Sequence, residues 1–266
     1  MSRQIEPIQQ FGRRNPVSDE PGRAQRPARL LTQNSQLKEI GVWNWTIPAW
    51  AGRFDDGTTY NTCPSAGICS KVCYARSGAY LWPQVRGKHQ ANLRFVLDDP
   101  DGFEDAMIAE LGARRFHGKW IRVHDAGDFF SDDYTLRWMR IMRARPDSHF
   151  YAYTKELDRF RRLVAPDPPP NFLWTFSLGG TQDADLDPKT DRMADVFPSE
   201  EAIAAAGWHS QLGDDRLAVL GEAPVGMSAN RIPKFLKLLD GRRFSEWQAQ
   251  ENERRAAKKN RAPGTE

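Results

Sequence analysis

Short apolar runs alternate with amphipathic stretches through most of the chain. Runs of strand length stand at 42–47 (VWNWTI), 120–124 (WIRVH), 149–153 (HFYAY), 172–177 (FLWTFS), 193–197 (MADVF) and 216–220 (RLAVL). Between them, residues 83–97, 103–115, 132–145, 155–164 and 200–206 carry apolar side chains at helical spacing. Ser131 and Ser199 stand where N-caps belong, as does Asp101 ahead of the second helix. Strands separated by helices pair in parallel, because a parallel neighbour is reached only through a crossover. The pattern therefore predicts an α/β fold over residues 31–240: a partial or complete parallel (β/α) barrel of about six units, or else an open doubly wound sheet. Pro168, Pro169 and Pro170 interrupt the alternation only as a rigid connection into the fourth strand.

Both ends depart from this pattern. Residues 1–30 hold Arg3, Arg13, Arg14, Arg23, Arg26 and Arg29 with prolines and no apolar periodicity, which reads as a disordered basic arm. Residues 241–266 contain helix formers with Arg254, Arg255, Lys258, Lys259 and Arg261 before Pro263 and Gly264, which reads as an exposed basic helix or tail. Over the whole chain, 38 Lys and Arg face 35 Asp and Glu, a net charge of +3. That balance is too even for charge alone to imply a nucleic-acid partner, so such a partner is carried only by the tails. No run approaches the roughly 18 apolar residues of a membrane span, and the first twenty residues lack the apolar core of a signal peptide. The expected compartment is the cytoplasm.

Cytoplasmic residence changes the meaning of the cysteines. The chain has three, Cys63, Cys69 and Cys73, crowded into a Gly- and Ser-containing loop (61–78) after the first strand. In a reducing compartment such a cluster points away from disulfides and toward a soft metal centre. Three thiolates without a fourth leave two arrangements. One is a [4Fe–4S] cluster with one iron open; the other is zinc completed by an imidazole such as His89.

The ends of the later strands carry the remaining polar candidates. His124, Asp125 and Asp128 follow the second strand around a glycine, where the carboxylates can face a barrel mouth. A plainer reading has Asp128 or Ser131 capping the next helix and His124 hydrogen-bonded inside the sheet. The third strand ends in Tyr151, Tyr153 and Lys155, and the fourth in Ser177, Gly179 and Gly180. Lys155 suits a carboxylate or phosphate, and the two glycines suit a close approach of backbone to ligand. Alternation in the first strand puts Trp43 and Trp45 on one face and Asn44, a candidate cofactor contact, on the other.

Taken together, Leu31 to Lys38 (LTQNSQLK), Trp43-Asn-Trp45, the cysteine loop ending Cys73-Tyr-Ala-Arg76, the His124 to Ser131 box and Phe150 to Lys155 resemble the phage gene product 88 family over about residues 30–225. That likeness implies a phage or prophage source and no particular reaction. The order of Cys-Tyr-Ala, an Asp-Phe-Phe box, Tyr-Thr-Lys and Ser-Leu-Gly-Gly is more distantly similar to radical S-adenosylmethionine-like barrel proteins of phages and to the spore photoproduct lyase branch. This second resemblance implies that Cys63, Cys69 and Cys73 bind [4Fe–4S] and that S-adenosylmethionine meets the open iron, while the phage source and the basic tails suggest a nucleotide or nucleic acid as substrate. Asp125, Asp128, His124, Lys155 and Tyr153 would then serve catalysis, and Gly179, Gly180, Ser177 and Asn44 the cofactor. The spacing here, five and three residues between cysteines, departs from the usual CxxxCxxC of that group. Two other readings use zinc: a base-exchanging transglycosylase with an Asp nucleophile, whose inventory matches but whose order does not, and a zinc-stapled nucleic-acid-binding module using the basic tails.

Overall fold

The computed structural model describes residues 26–261. Most of the expected N-terminal arm, residues 1–25, lies outside the described residues. The arm's last residue, Leu30, is in the core, with its amide on Glu110 Oε2 at 2.8 Å.

A short helix, α1 (Ser35–Glu39), leads into β1 (Trp43–Trp45), and a hairpin follows, β2 (Ala51–Arg53) and β3 (Thr59–Asn61). The cysteine loop then runs through three single turns into α2 (Pro83–Asp98) and α3 (Pro100–Leu111). Next come β4 (Trp120–Val123), α4 (Asp132–Ala144), β5 (His149–Thr154), and α5 (Leu157–Arg159), which widens into a π turn at Phe160–Val164. β6 (Phe172–Ser177), β7 (Met193–Phe197), α6 (Glu200–Ala205), β8 (His209–Ser210), α7 (Leu217–Leu220), β9 (Val225–Ser228), α8 (Pro233–Leu239) and α9 (Phe244–Arg261) complete the described chain.

Seven strands form one sheet in the order β1-β4-β5-β6-β7-β9-β8, every neighbouring pair parallel. The order advances from strand to strand as in a barrel wall, without the reversal of a doubly wound sheet, until β8 and β9 exchange places. Pairing ends at β1 and β8, so the fold is α/β with an open, mostly parallel sheet.

Alternation along the strands sorts the two faces. Ile121, Val123, Phe150, Ala152, Phe172 and Phe176 join one apolar core with Phe103, Met107, Trp138 and Ile141 of the helices. Trp45 is buried in that core and Trp43 packs on it, on the face opposite Asn44 as alternation requires. The other face presents Arg122, Tyr151 and Tyr153, with Leu37, Val42 and Val219 closing over part of it.

Three local expectations are corrected. The run 216–220 is helical: Asp214 Oδ1 accepts the Arg216 amide at 2.9 Å and opens a turn that buries Ala218 and Val219. The sheet positions expected there belong to β8 and β9, whose shortness, glycine and preceding proline hide them. α3 starts at Pro100 and is capped by Asp99, which accepts Gly102 N–H at 3.1 Å, rather than by Asp101. Finally, the C-terminal helix is not wholly exposed. Phe244, Trp247, Gln248 and Glu251 are buried, and Phe244 and Trp247 form a small apolar cluster with Ile68, Val72 and Leu239.

Candidate functional site

The carboxyl ends of the parallel strands open into a cavity of about 750 Å³. Cys63, Cys69 and Cys73 line it, as do Asp125 and Asp128 beyond β4 and Lys155 beyond β5. His124, Tyr153 and Ser177 also border it, whereas Asn44, His89, Gly179 and Gly180 do not.

All three cysteines are free of disulfides and half-buried. Burial raises the pKa of Cys63, with Asp128 adding to the effect; burial and then the charge of Cys69 push Cys73 up to about 12. Among the described residues, no group of three or more His, Cys, Asp or Glu is arranged to hold a metal ion. Trp50, at φ 56, donates its backbone N–H to Cys63 Sγ at 3.3 Å.

The loop carrying these thiols is held from three sides. Glu156 Oε1 accepts Ser65 N–H at 2.9 Å, Gly179 O accepts Cys69 N–H at 3.2 Å, and Gln248 Oε1 accepts Ile68 N–H at 2.7 Å. Burial, with the nearby Asp128, raises Glu156 to about 6. The close backbone approach expected at Gly179 and Gly180 is real, but its partner is this loop. Their own amides are taken by Asp183 at 2.7 and 2.9 Å.

Asp125 and Asp128 have different surroundings. Asp128 accepts from Phe129 N (2.8 Å), Thr154 Oγ1 (2.7 Å) and Lys155 N (2.9 Å), so its oxygens tie the loop after β4 to the end of β5. Asp125 is turned to the cavity by the left-handed backbone of His124, φ 70. It accepts Tyr80 Oη at 2.6 Å and Asn34 Nδ2 at 3.4 Å, and lies 3.7 Å from Arg122 Nη1. Arg122 in turn contacts both oxygens of Asp215 at 3.2 Å. Burial opposes its charge, but Asp215, Tyr74 and Asp125 more than offset this and keep it firmly protonated. Tyr151 donates to Asp215 at 2.7 Å, and Tyr153 to Gln211 at 2.5 Å. One arginine, two carboxylates, the buried Tyr151 and the partly buried Tyr80 and Tyr153 thus make the polar floor.

Four candidates have these surroundings. The Lys155 ammonium donates to Ser177 O (2.8 Å), Ser177 Oγ (2.8 Å) and Leu178 O (2.9 Å), so its three protons clamp the end of β6 rather than await an anion. His124 is held neutral by burial, at about 3, and its Nε2 meets Tyr134 Oη at 2.8 Å inside the core. His89 lies against the Tyr80 ring, 5.8 Å between centroids, and does not line the cavity that the three cysteines border. Asn44 is buried with its Nδ2 on Thr46 Oγ1 at 2.8 Å.

The residues missed were Arg122, Asp215, Tyr74, Tyr80 and Gln248. Arg122 had a readable signal, a charge at an inward position of an otherwise apolar strand. Asp215 was hidden by reading 216–220 as a strand.

The profile of the Gene product 88 family matches residues 23–260. A protein named Gene 88 protein from Mycobacterium phage L5 is 35% identical over 102 residues, covering 35% of this chain and 43% of that protein. Its namesake from Mycobacterium phage D29 is 30% identical over 102 residues, 35% of this chain and 42% of the relative. The match thus spans less than half the length of either relative. No solved structure matches the chain. Among the described residues, no helix is long and apolar enough to cross a membrane.

Proposed function

The chain belongs to the gene product 88 family, and from that premise we propose that it is a radical S-adenosylmethionine-like iron–sulfur enzyme acting on a nucleotide or nucleic acid. The observation that carries the reading is that three unpaired thiols line one cavity at the carboxyl ends of a parallel sheet. As they stand, no three His, Cys, Asp or Glu side chains among the described residues are arranged to hold a metal ion, so a cluster would have to draw the three thiolates together around the space they border.

Cys63, Cys69 and Cys73 would hold the cluster. When bound, it would supply one-electron chemistry and one iron free of protein ligands, where S-adenosylmethionine belongs in the resembling enzymes. The chain's own residues do the rest. Asp125, at the cavity edge with Tyr80 donating to it, meets a hydroxyl or amino group of the ligand. Arg122 and Asp215 fix Asp125 and Tyr153 in place. Asp128 and Lys155 position the loops and bind no ligand themselves. A cavity of about 750 Å³ falls in the range that takes small-molecule ligands.

The test is reductive cleavage of S-adenosylmethionine by anaerobically reconstituted full-length protein. Cleavage by the wild type and its loss in Cys73→Ala support the reading. No cleavage by a fully loaded protein contradicts it.

A further inference from the structure

We infer that Gln248 of the C-terminal helix is the positioning residue of the cysteine loop, acting through the backbone between Cys63 and Cys69. It lies 179 positions beyond Cys69 in the sequence and carries no charge that would mark it. Yet its side chain is 1% exposed and both ends of its amide are used. Oε1 accepts the Ile68 N–H at 2.7 Å, and Nε2 donates to Asn252 Oδ1 at 2.8 Å. This fixes which end of the amide faces the loop.

The fit around it leaves little slack. A Cβ at Gly67 would overlap Gln248 Oε1 and lie 2.9 Å from Gly179 O, so the glycine lets the loop pass between the helix and the end of β6. Gly179 O takes the next amide but one, that of Cys69, at 3.2 Å. Two consecutive amides of the turn that carries Cys69 are therefore anchored by two separate elements, one by α9 and one by the loop after β6. The helix is itself secured. Ser245 donates through its hydroxyl to Asp195 Oδ2 at 2.5 Å, Lys71 meets Glu251 at 3.3 Å, and Phe244 and Trp247 pack on Ile68 and Val72.

The acceptor, and not only the bulk of the side chain, does the positioning. Without it, the Ile68 amide is a buried donor with no partner, and the turn opens to satisfy it in water. The iron–sulfur reading gives this anchor its purpose, but the anchor itself exists without metal and is tested without it.

The experiment measures the rate at which a disulfide reagent labels the thiols of metal-free, full-length protein under native conditions. Gln248→Met keeps the length and loses the acceptor; Gln248→Glu keeps the acceptor. The expected result is labelling of Cys69 accelerated about tenfold or more in Gln248→Met, the factor that 1.4 kcal/mol represents, with Gln248→Glu within about twofold of the wild type. Wild-type labelling in Gln248→Met, or equal acceleration in both variants, overturns the inference. If Gln248→Met does not fold, hydrogen exchange of the Ile68 amide in the unaltered protein decides. Protection comparable to the sheet amides supports the anchor, and loop-like exchange overturns it.

Discussion

Lys155 and Ser177 are joined twice, the lysine ammonium donating to both the carbonyl and the hydroxyl of the serine at 2.8 Å. A third bond to Leu178 O at 2.9 Å exhausts its protons. A lysine at a strand end beside a cavity invites assignment as an anion binder, but here it is a clamp that joins the ends of β5 and β6. Lys155→Met keeps the stem and removes the donors, leaving two backbone carbonyls short of a partner. The expected loss is about 2–4 kcal/mol of stability, read from the urea midpoint. A midpoint equal to the wild type contradicts the clamp.

Gly179 is required by both backbone and space. Its φ is +94, and an added Cβ would stand 2.8 Å from Phe244 Cδ2 and 3.2 Å from Ile68 Cδ1. Gly179→Ala combines left-handed strain with overpacking against the helix that holds the cysteine loop. It is expected to destabilise by about 2–4 kcal/mol, measured by chemical denaturation. An unchanged midpoint would show that the loop after β6 is free to shift.

Asp195 links pH to the attachment of the C-terminal helix. It is fully buried in β7 and accepts Ser245 N–H at 3.2 Å and the Ser245 hydroxyl at 2.5 Å. Burial raises its pKa to about 6, and the hydrogen bonds from Ser245 only partly offset this. A carboxyl whose folded pKa lies above its unfolded value favours the folded state when protonated. Its contribution is therefore full below about pH 4, lost as pH rises to about 6, and flat beyond. Asp195→Asn should match the wild type near pH 4 and exceed it at pH 7.5, by on the order of 2–3 kcal/mol. Denaturation curves at the two pH values check this, and equal differences at both would contradict it.

Much of this arrangement was legible in the sequence because it follows local rules. Period-two runs placed β1, β4, β5, β6 and β7, and Ser131 and Ser199 do cap their helices, accepting Tyr134 N–H at 3.2 Å and Ala202 N–H at 3.3 Å. The crowding of Cys63, Cys69 and Cys73 marked the loop that borders the cavity. What was not legible depends on the register between distant segments. Nothing near Gln248 signals a partner at Ile68, and nothing near Asp215 signals Arg122, because each pair meets only after the sheet has formed. Short strands such as β8 and β9 carry too few residues for alternation to show. Lys155 and Asp128 have the chemistry of catalytic groups, and nothing in the sequence signals the hydrogen bonds by which they also tie neighbouring strand ends together.

The central claim is that Cys63, Cys69 and Cys73 together hold an iron–sulfur cluster. Its most direct test is the count of iron, acid-labile sulfide and zinc in full-length protein prepared and reconstituted without oxygen. The account predicts brown protein with about four irons and four sulfides per chain, and loss of both in Cys63→Ala, Cys69→Ala and Cys73→Ala variants that remain folded. Colourless protein holding one zinc, or retaining no metal after reconstitution, would contradict it.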